Sequence, residues 1–194
     1  MAFLLAVLFY ILAWIFLLYI IVSFFVFKGW KYPPYVPSLG KVKKTLLNET
    51  IKILKDSKKS LIVADLGCGD GRLLARLARQ FPQHHFIGYE WNPLPYRLAK
   101  WRLKKYKNVQ VIQADLMGQD LSHIDVAVCY WSSKIEFAQK LKKSMKKSAI
   151  VLSEIFKIQG WKIHKKVASR VLGFQTTVFV YYLQDQKITK KGKS

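Results

Sequence analysis

The sequence predicts an α/β fold: a doubly wound, mostly parallel sheet closed by a C-terminal antiparallel hairpin and preceded by one N-terminal transmembrane helix. Three observations carry this expectation. The first 27 residues hold no charged side chain; apolar strands alternate with helical stretches from Leu61 to Ile155; and beyond Gly160 the apolar period shortens to two.

From Ala2 to Phe27 only Tyr10, Trp14, Tyr19 and Ser23 interrupt aliphatic residues and phenylalanine. At a rise of about 1.5 Å per residue, a helix of that length reaches roughly 39 Å, enough to cross a hydrocarbon core of about 30 Å with some tilt. A cleaved signal peptide would need a basic start, a shorter apolar stretch and a small-residue exit, none of which is present. The expected domains are therefore an anchor at 1–27, a linker at 28–38, a globular domain at 39–185 and a basic disordered tail at 186–194.

All lysines and arginines follow the anchor, and Lys28, Lys31, Lys41, Lys43 and Lys44 come soon after it. The positive-inside rule then puts the globular domain on the cytoplasmic or an equivalent side, with Trp30 and Tyr32 at the interface. The formal charge of +22 calls for an anionic neighbour. Lipid headgroups beside the anchor fill that role more simply than nucleic acid does, at about 1 kcal/mol per well-placed cation. Cys68 and Cys129 lack metal-ligand spacing and read as buried free thiols.

After the proline-rich "KYPPYVPS", Ser38 can cap a helix with Leu39, Val42, Leu46, Ile53 and Leu54 near one face. Strands are expected at Leu61–Leu66, His85–Glu90, Val109–Gln113, Asp125–Tyr130 and Ala149–Ile155. Between them come a helix at Arg72–Phe81, with Leu73, Leu74, Leu77 and Ala78 inward, and another capped by Asn92, with Pro93 first, running to about Tyr106. Ser133–Lys147 reads as a basic amphipathic helix with Ile135, Ala138, Leu141 and Met145 inward and a solvated or membrane-facing surface outward. Val167–Val171 and Phe174–Leu183 form the hairpin about Gly173. Asp125 reads as structural, Met117 and Met145 as core, and His84, His85, His123 and His164 as surface residues without triad or metal spacing.

In such sheets a ligand sits at the carboxyl ends of the strands. There the segment "DLGCGDG", Asp65–Gly71, leaves the first strand with glycines at 67, 69 and 71. The spacing differs from the G-x-G-x-x-G of dinucleotide sites. Glu90 ends the second strand, where a carboxylate can accept both ribose hydroxyls, and Asp115 follows the third. Asp65 and Asp70 would repel a pyrophosphate by about 1 kcal/mol per charge in water at about 4 Å, and by more in a cleft. The same charges attract a ligand with a cationic amino-acid end and a sulfonium. S-adenosylmethionine fits better than a phosphate.

"VADLGCGDGRLL" resembles motif I of class I S-adenosylmethionine-dependent methyltransferases, which are Rossmann-like, with "IGYEWN" and "IQADLM" as the later cofactor motifs. The resemblance implies that Asp65, Gly67 and Gly69 lie along the methionine part, that Glu90 holds the ribose and that Asp115 with Leu116 lies near the adenine, with Cys68, Gly71 and Asn92 as further cofactor-binding candidates. The anchor, "PYVPS" and "EIFKIQGW" together are similar to membrane-anchored protein-lysine methyltransferases acting on the ATP synthase c-subunit and the adenine nucleotide translocase. That likeness implies that Tyr35, Pro37 and Ser38 cover the cofactor. The chain departs from the pattern at Ile155-Phe156-Lys157 and at Ser132-Ser133.

Methyl transfer from a sulfonium is an in-line displacement that rewards positioning of a nucleophile lacking its proton. Tyr130, Trp131 and Ser132, at the end of the fourth strand, are placed to face the methyl group, as aromatic support for cationic groups or as packing. Glu154 can accept a proton or a lysine hydrogen bond, or pair with a nearby lysine as a structural carboxylate. The expected function is transfer of methyl groups to a lysine of a membrane protein. A lipid or quinone acceptor and a non-catalytic basic module are the alternatives.

Overall fold

The structure, a computed structural model, describes residues 1–26, 43–130, 135–171 and 174–186. The chain divides into two compact units, Met1–Val36 and Pro37–Ser194. In the first, α1 (Ala2–Val26) is a single helix, and the stretch Phe3–Val22 is long and apolar enough to cross a membrane. Its apolar side chains are exposed all round, Phe3 by 79% and Leu12 by 56%. Among the described residues of its own unit nothing covers them.

The second unit is a three-layer sandwich. Its described elements are α2 (Lys43–Asp56), β1 (Ile62–Leu66), α3 (Arg72–Gln80), β2 (His85–Glu90), α4 (Pro93–Leu103), β3 (Val109–Gln113), β4 (Val126–Cys129), α5 (Ile135–Ser144), β5 (Ile150–Glu154), β6 (Lys165–Val171) and β7 (Phe174–Tyr182). The strands form one sheet in the order β3-β2-β1-β4-β5-β7-β6. The first five pair in parallel, and β7 runs antiparallel between β5 and β6. The chain reverses its lateral direction between β1 and β4, so a crevice opens beyond their carboxyl ends.

The period of two in the strands sorts side chains into two cores. Val63, Phe86, Val126, Val128, Leu152, Val178 and Val180 face the layer of α2, α3 and α4, where Leu46, Leu54, Leu74 and Leu77 meet them. Ala64, Leu66, Ala127, Cys129, Val151, Phe179 and Tyr181 face α5, through Phe137, Ala138 and Leu141. Each fully buried leucine contributes about 1.5–3 kcal/mol relative to an exposed one.

Several expectations are corrected. His84 is buried, because its ring bridges two elements: Nδ1 accepts from the Leu61 N–H at 3.1 Å, which assigns the hydrogen to Nε2, 3.2 Å from the Leu54 carbonyl. Met117 is 46% exposed, since it sits in a 3-10 turn (Leu116–Gly118) beyond the end of β3. Ile135, at the first turn of α5, is 43% exposed, and Phe137 occupies the core instead. Asp125 has the structural role expected of it, accepting the Ile62 N–H at 2.8 Å and the Lys146 ammonium at 2.8 Å. The linker, the hairpin tip at Gly173 and the last eight residues lie outside the described residues.

Candidate active site

The loop from Gly67 to Gly71 is shaped by left-handed backbone that only glycine adopts at low cost. Gly67, Gly69 and Gly71 have φ of 104°, 57° and 76°. A side chain on Gly71 would also meet Leu103 Cδ1 at 2.7 Å, whereas a Cβ on Gly67 would meet nothing within 4 Å. Gly71 therefore lets the start of α3 close onto α4, and Gly67 leaves open space for a ligand.

Glu90 holds this loop in place. Its Oε2 accepts the Gly69 N–H at 2.9 Å and its Oε1 the Asn92 N–H at 2.8 Å. Gly67 and Cys68 donate to the Tyr89 carbonyl, each at 2.9 Å. A carboxylate offers about four lone-pair sites, so its two bonds to backbone are compatible with the hydroxyl recognition expected of Glu90. Sequence reasoning missed the first of these roles. No local pattern announces a contact between residues 21 positions apart.

Other predicted residues take narrower parts. Cys68 turns its side chain into the core, where its Sγ packs under Gly88. Asn92 caps α4, its side chain accepting the Leu94 N–H at 3.1 Å. Asp115 caps the 3-10 turn through the Met117 N–H at 3.0 Å, beside the half-buried Leu116. Asp70 does not lend its charge to the crevice: Arg72 and Arg102 grip its carboxylate at 2.7 and 3.1 Å. Arg102 also donates to the Asp70 carbonyl at 2.8 Å, fastening α4 to the loop.

Asp65 is buried on β1, opposite Gly88 and Val128. Across the crevice, Tyr130 follows Cys129 at the end of β4, and Glu154 ends β5 in full burial, one step beyond the paired Cys129 and Ser153. Burial, and then the charge of Glu154, push the Tyr130 phenol above the ordinary tyrosine range, so it stays a neutral donor. Burial likewise pushes the Cys129 thiol up to about 12, with the charge of Asp65 adding to the shift and a hydrogen bond with Ser153 opposing it.

Just past Glu154 the chain bends through a three-residue γ-turn. Phe156 N–H bonds the Glu154 carbonyl at 2.9 Å, with Ile155 at φ of 70°. A β-branched residue there is strained. Two ties over-determine it: Ile155 N–H to the Thr177 carbonyl at 2.8 Å, and Ser153 Oγ to the Phe156 carbonyl at 2.7 Å. Tyr35, Pro37, Ser38 and Trp131 lie outside the described residues.

The chain has 11 acidic residues, and Asp65, Asp70, Glu90, Asp115 and Glu154 all gather on this one edge of the sheet. The open space at Gly67 and the carboxylates fit a cationic nucleoside better than a polyanion.

Residues 65–165, more than half of the chain, match the family described as the ANTKMT methyltransferase domain. A protein-lysine N-methyltransferase of Saccharolobus islandicus is 28% identical over 159 residues, covering 79% of this chain and 96% of that protein. A tRNA (guanine-N(7)-)-methyltransferase of Thermotoga maritima is 37% identical over 60 residues, only 30% of this chain and 19% of that protein. In fold, the chain is similar to an RNA methyltransferase from Salinibacter ruber, solved in complex with S-adenosyl-L-homocysteine. The TM-score is 0.65 at 22% identity, covering 81% of this chain and 98% of that one.

Proposed function

The chain belongs to the ANTKMT methyltransferase-domain family and uses S-adenosylmethionine as its cofactor, and on that premise we propose that it methylates lysine side chains of a membrane protein. In this reading α1 tethers residues 39–185, the catalytic unit, to the cytoplasmic or equivalent face of a bilayer. The observation that carries it is the similarity to a protein-lysine N-methyltransferase over 159 residues, 79% of this chain and 96% of that protein.

Bound S-adenosylmethionine supplies an electrophilic methyl group on a cationic sulfonium. Asp65 and the Gly67–Gly71 loop receive its amino-acid end, Glu90 its ribose hydroxyls, and Asp115 with Leu116 its base. Glu154 and Tyr130 hold the incoming lysine. An ammonium with an ordinary pKa near 10.4 must lose a proton before its nitrogen can attack. The buried Glu154 carboxylate attracts the ammonium into the crevice and accepts its hydrogen bond, while the Tyr130 ring packs against the methylene stem. Burial at this spot disfavours the ionised pair, so the ammonium proton passes to the Glu154 carboxylate and leaves the neutral amine to attack. With Trp131, Tyr130 offers an aromatic face to the cationic product.

The test is incubation of membranes with radiolabelled cofactor, followed by separation of protein from lipid. Label is expected on lysine in the protein fraction, and Glu154→Gln is expected to lower turnover about 100-fold while cofactor affinity changes less than about threefold. Label recovered in the lipid fraction would overturn the lysine assignment.

A further inference from the structure

Helix α4 presents to solvent a stripe that its own fold does not use. At about 100° per residue, Leu94, Leu98 and Trp101 fall within roughly 60° of one another, and they are 50%, 43% and 68% exposed. Ala99 and Leu103, which seat the helix on the sheet, project from the opposite side and are 0% and 2% exposed. Scattered exposed leucines are ordinary; an aligned set of three on a single helix is not.

Cations surround the stripe. Between Glu90 and Asp115 the chain carries six basic residues and no acidic one. Arg102 is committed to Asp70, and Arg97, Lys100, Lys104, Lys105 and Lys107 are exposed. Helix α5, also basic, lacks this arrangement: its exposed positions mix Ile135 with Glu136, Gln139 and Lys143.

Charge decides among the occupants of this face. A second copy docked there would bring five cations against five with no acid to meet them. Nucleic acid would satisfy the cations and leave two leucines without a partner, since its bases stack on aromatic rings. An anionic bilayer surface satisfies both features, taking aliphatic and indole side chains below the headgroups and cations among them.

We propose that the exposed face of α4 docks on an anionic lipid surface, with Leu94, Leu98 and Trp101 below the headgroup level. Because α4 begins directly after Asn92, whose N–H is held by Glu90, the docked helix keeps the cofactor edge of the sheet beside the membrane. The inference deepens the proposed function, but its test does not pass through catalysis.

The full chain, with a nitroxide placed at Leu98→Cys, Trp101→Cys or, for reference, Lys143→Cys, is reconstituted in phosphatidylcholine vesicles with and without phosphatidylserine. Cys68 and Cys129 are buried and do not compete for label. The expected result is a ratio of oxygen to nickel-complex collisions at least about threefold higher at 98 and 101 than at 143. That ratio should require phosphatidylserine and fall in high salt. Equal nickel access at 98 and 143 would overturn the proposal. So would lipid-independent spin–spin broadening, which marks a second copy, or immobilisation by added tRNA without phosphatidylserine. A chain that methylates no lysine but gives the depth signature leaves the docking standing and removes only the acceptor assignment.

Discussion

The two halves of the crevice are built on different principles. On the side of β1, β2 and β3, backbone does the work: three left-handed glycines form the loop, and Glu90 pins it to the start of α4. On the side of β4 and β5, side chains do it: the buried Glu154 and Cys129 and the half-buried Tyr130 sit next to a strained turn. A site for one unvarying cofactor can be built from backbone. If the β4–β5 side receives the acceptor, as proposed, its side chains can change from one acceptor to another without rebuilding the sheet.

The largest expected effect breaks the first half. Glu90→Ala removes the acceptor of two backbone N–H groups and the one proposed for the ribose hydroxyls, and cofactor affinity should fall about 1000-fold, measured by calorimetry on protein whose circular dichroism is unchanged. Undiminished affinity would mean that the loop holds itself.

Next comes a pH effect on the second half. The Cys129 thiol is raised to about 12 from its usual value near 9.0. The folded thiol stays protonated where the unfolded one ionises. Its contribution to stability is therefore complete below pH about 9 and is lost as pH climbs toward 12, by up to roughly 4 kcal/mol. Denaturant titrations of Cys129→Ala should show a flatter alkaline limb, and an identical limb would refute this account.

Smaller is the contrast between two glycines. Gly71→Ala meets both a positive φ and the Leu103 side chain, for a loss of about 2–3 kcal/mol; Gly67→Ala meets only the φ, for about 1 kcal/mol. Equal melting temperatures would dissolve the distinction between packing and ligand space. Smallest is Ile155→Gly. In an ordinary half-buried strand such a change costs several kcal/mol, but relief of the γ-turn should keep the variant within about 1 kcal/mol of the parent.

These two halves also differ in how far the sequence discloses them. The bounds of β2 and β3 coincide with expectation because their apolar alternation ends in polar turns. The glycine loop and the strand-terminal carboxylates proposed to hold the cofactor stand out in the sequence because such residues have few other uses at that edge. Asp70 misled, since its partner Arg102 lies 32 residues away and nothing local reports the pairing. The turn at Ile155 gave no signal at all: a β-branched residue is the last expected in left-handed backbone, and only tertiary ties hold it there. His84 was missed for the same reason, its two partners lying on other elements.

With Asp70 taken by its two arginines, the other carboxylates of this sheet edge, in a molecule of charge +22, make an electrical funnel. On the proposal that the acceptor is a lysine, its approach is disfavoured over most of the basic surface and favoured toward this edge. Field lines focused in this way raise encounter rates for the productive orientation and suppress the others. The basic excess thus selects the angle of approach in addition to its proposed contact with lipid, and its filtering weakens as salt shortens its reach.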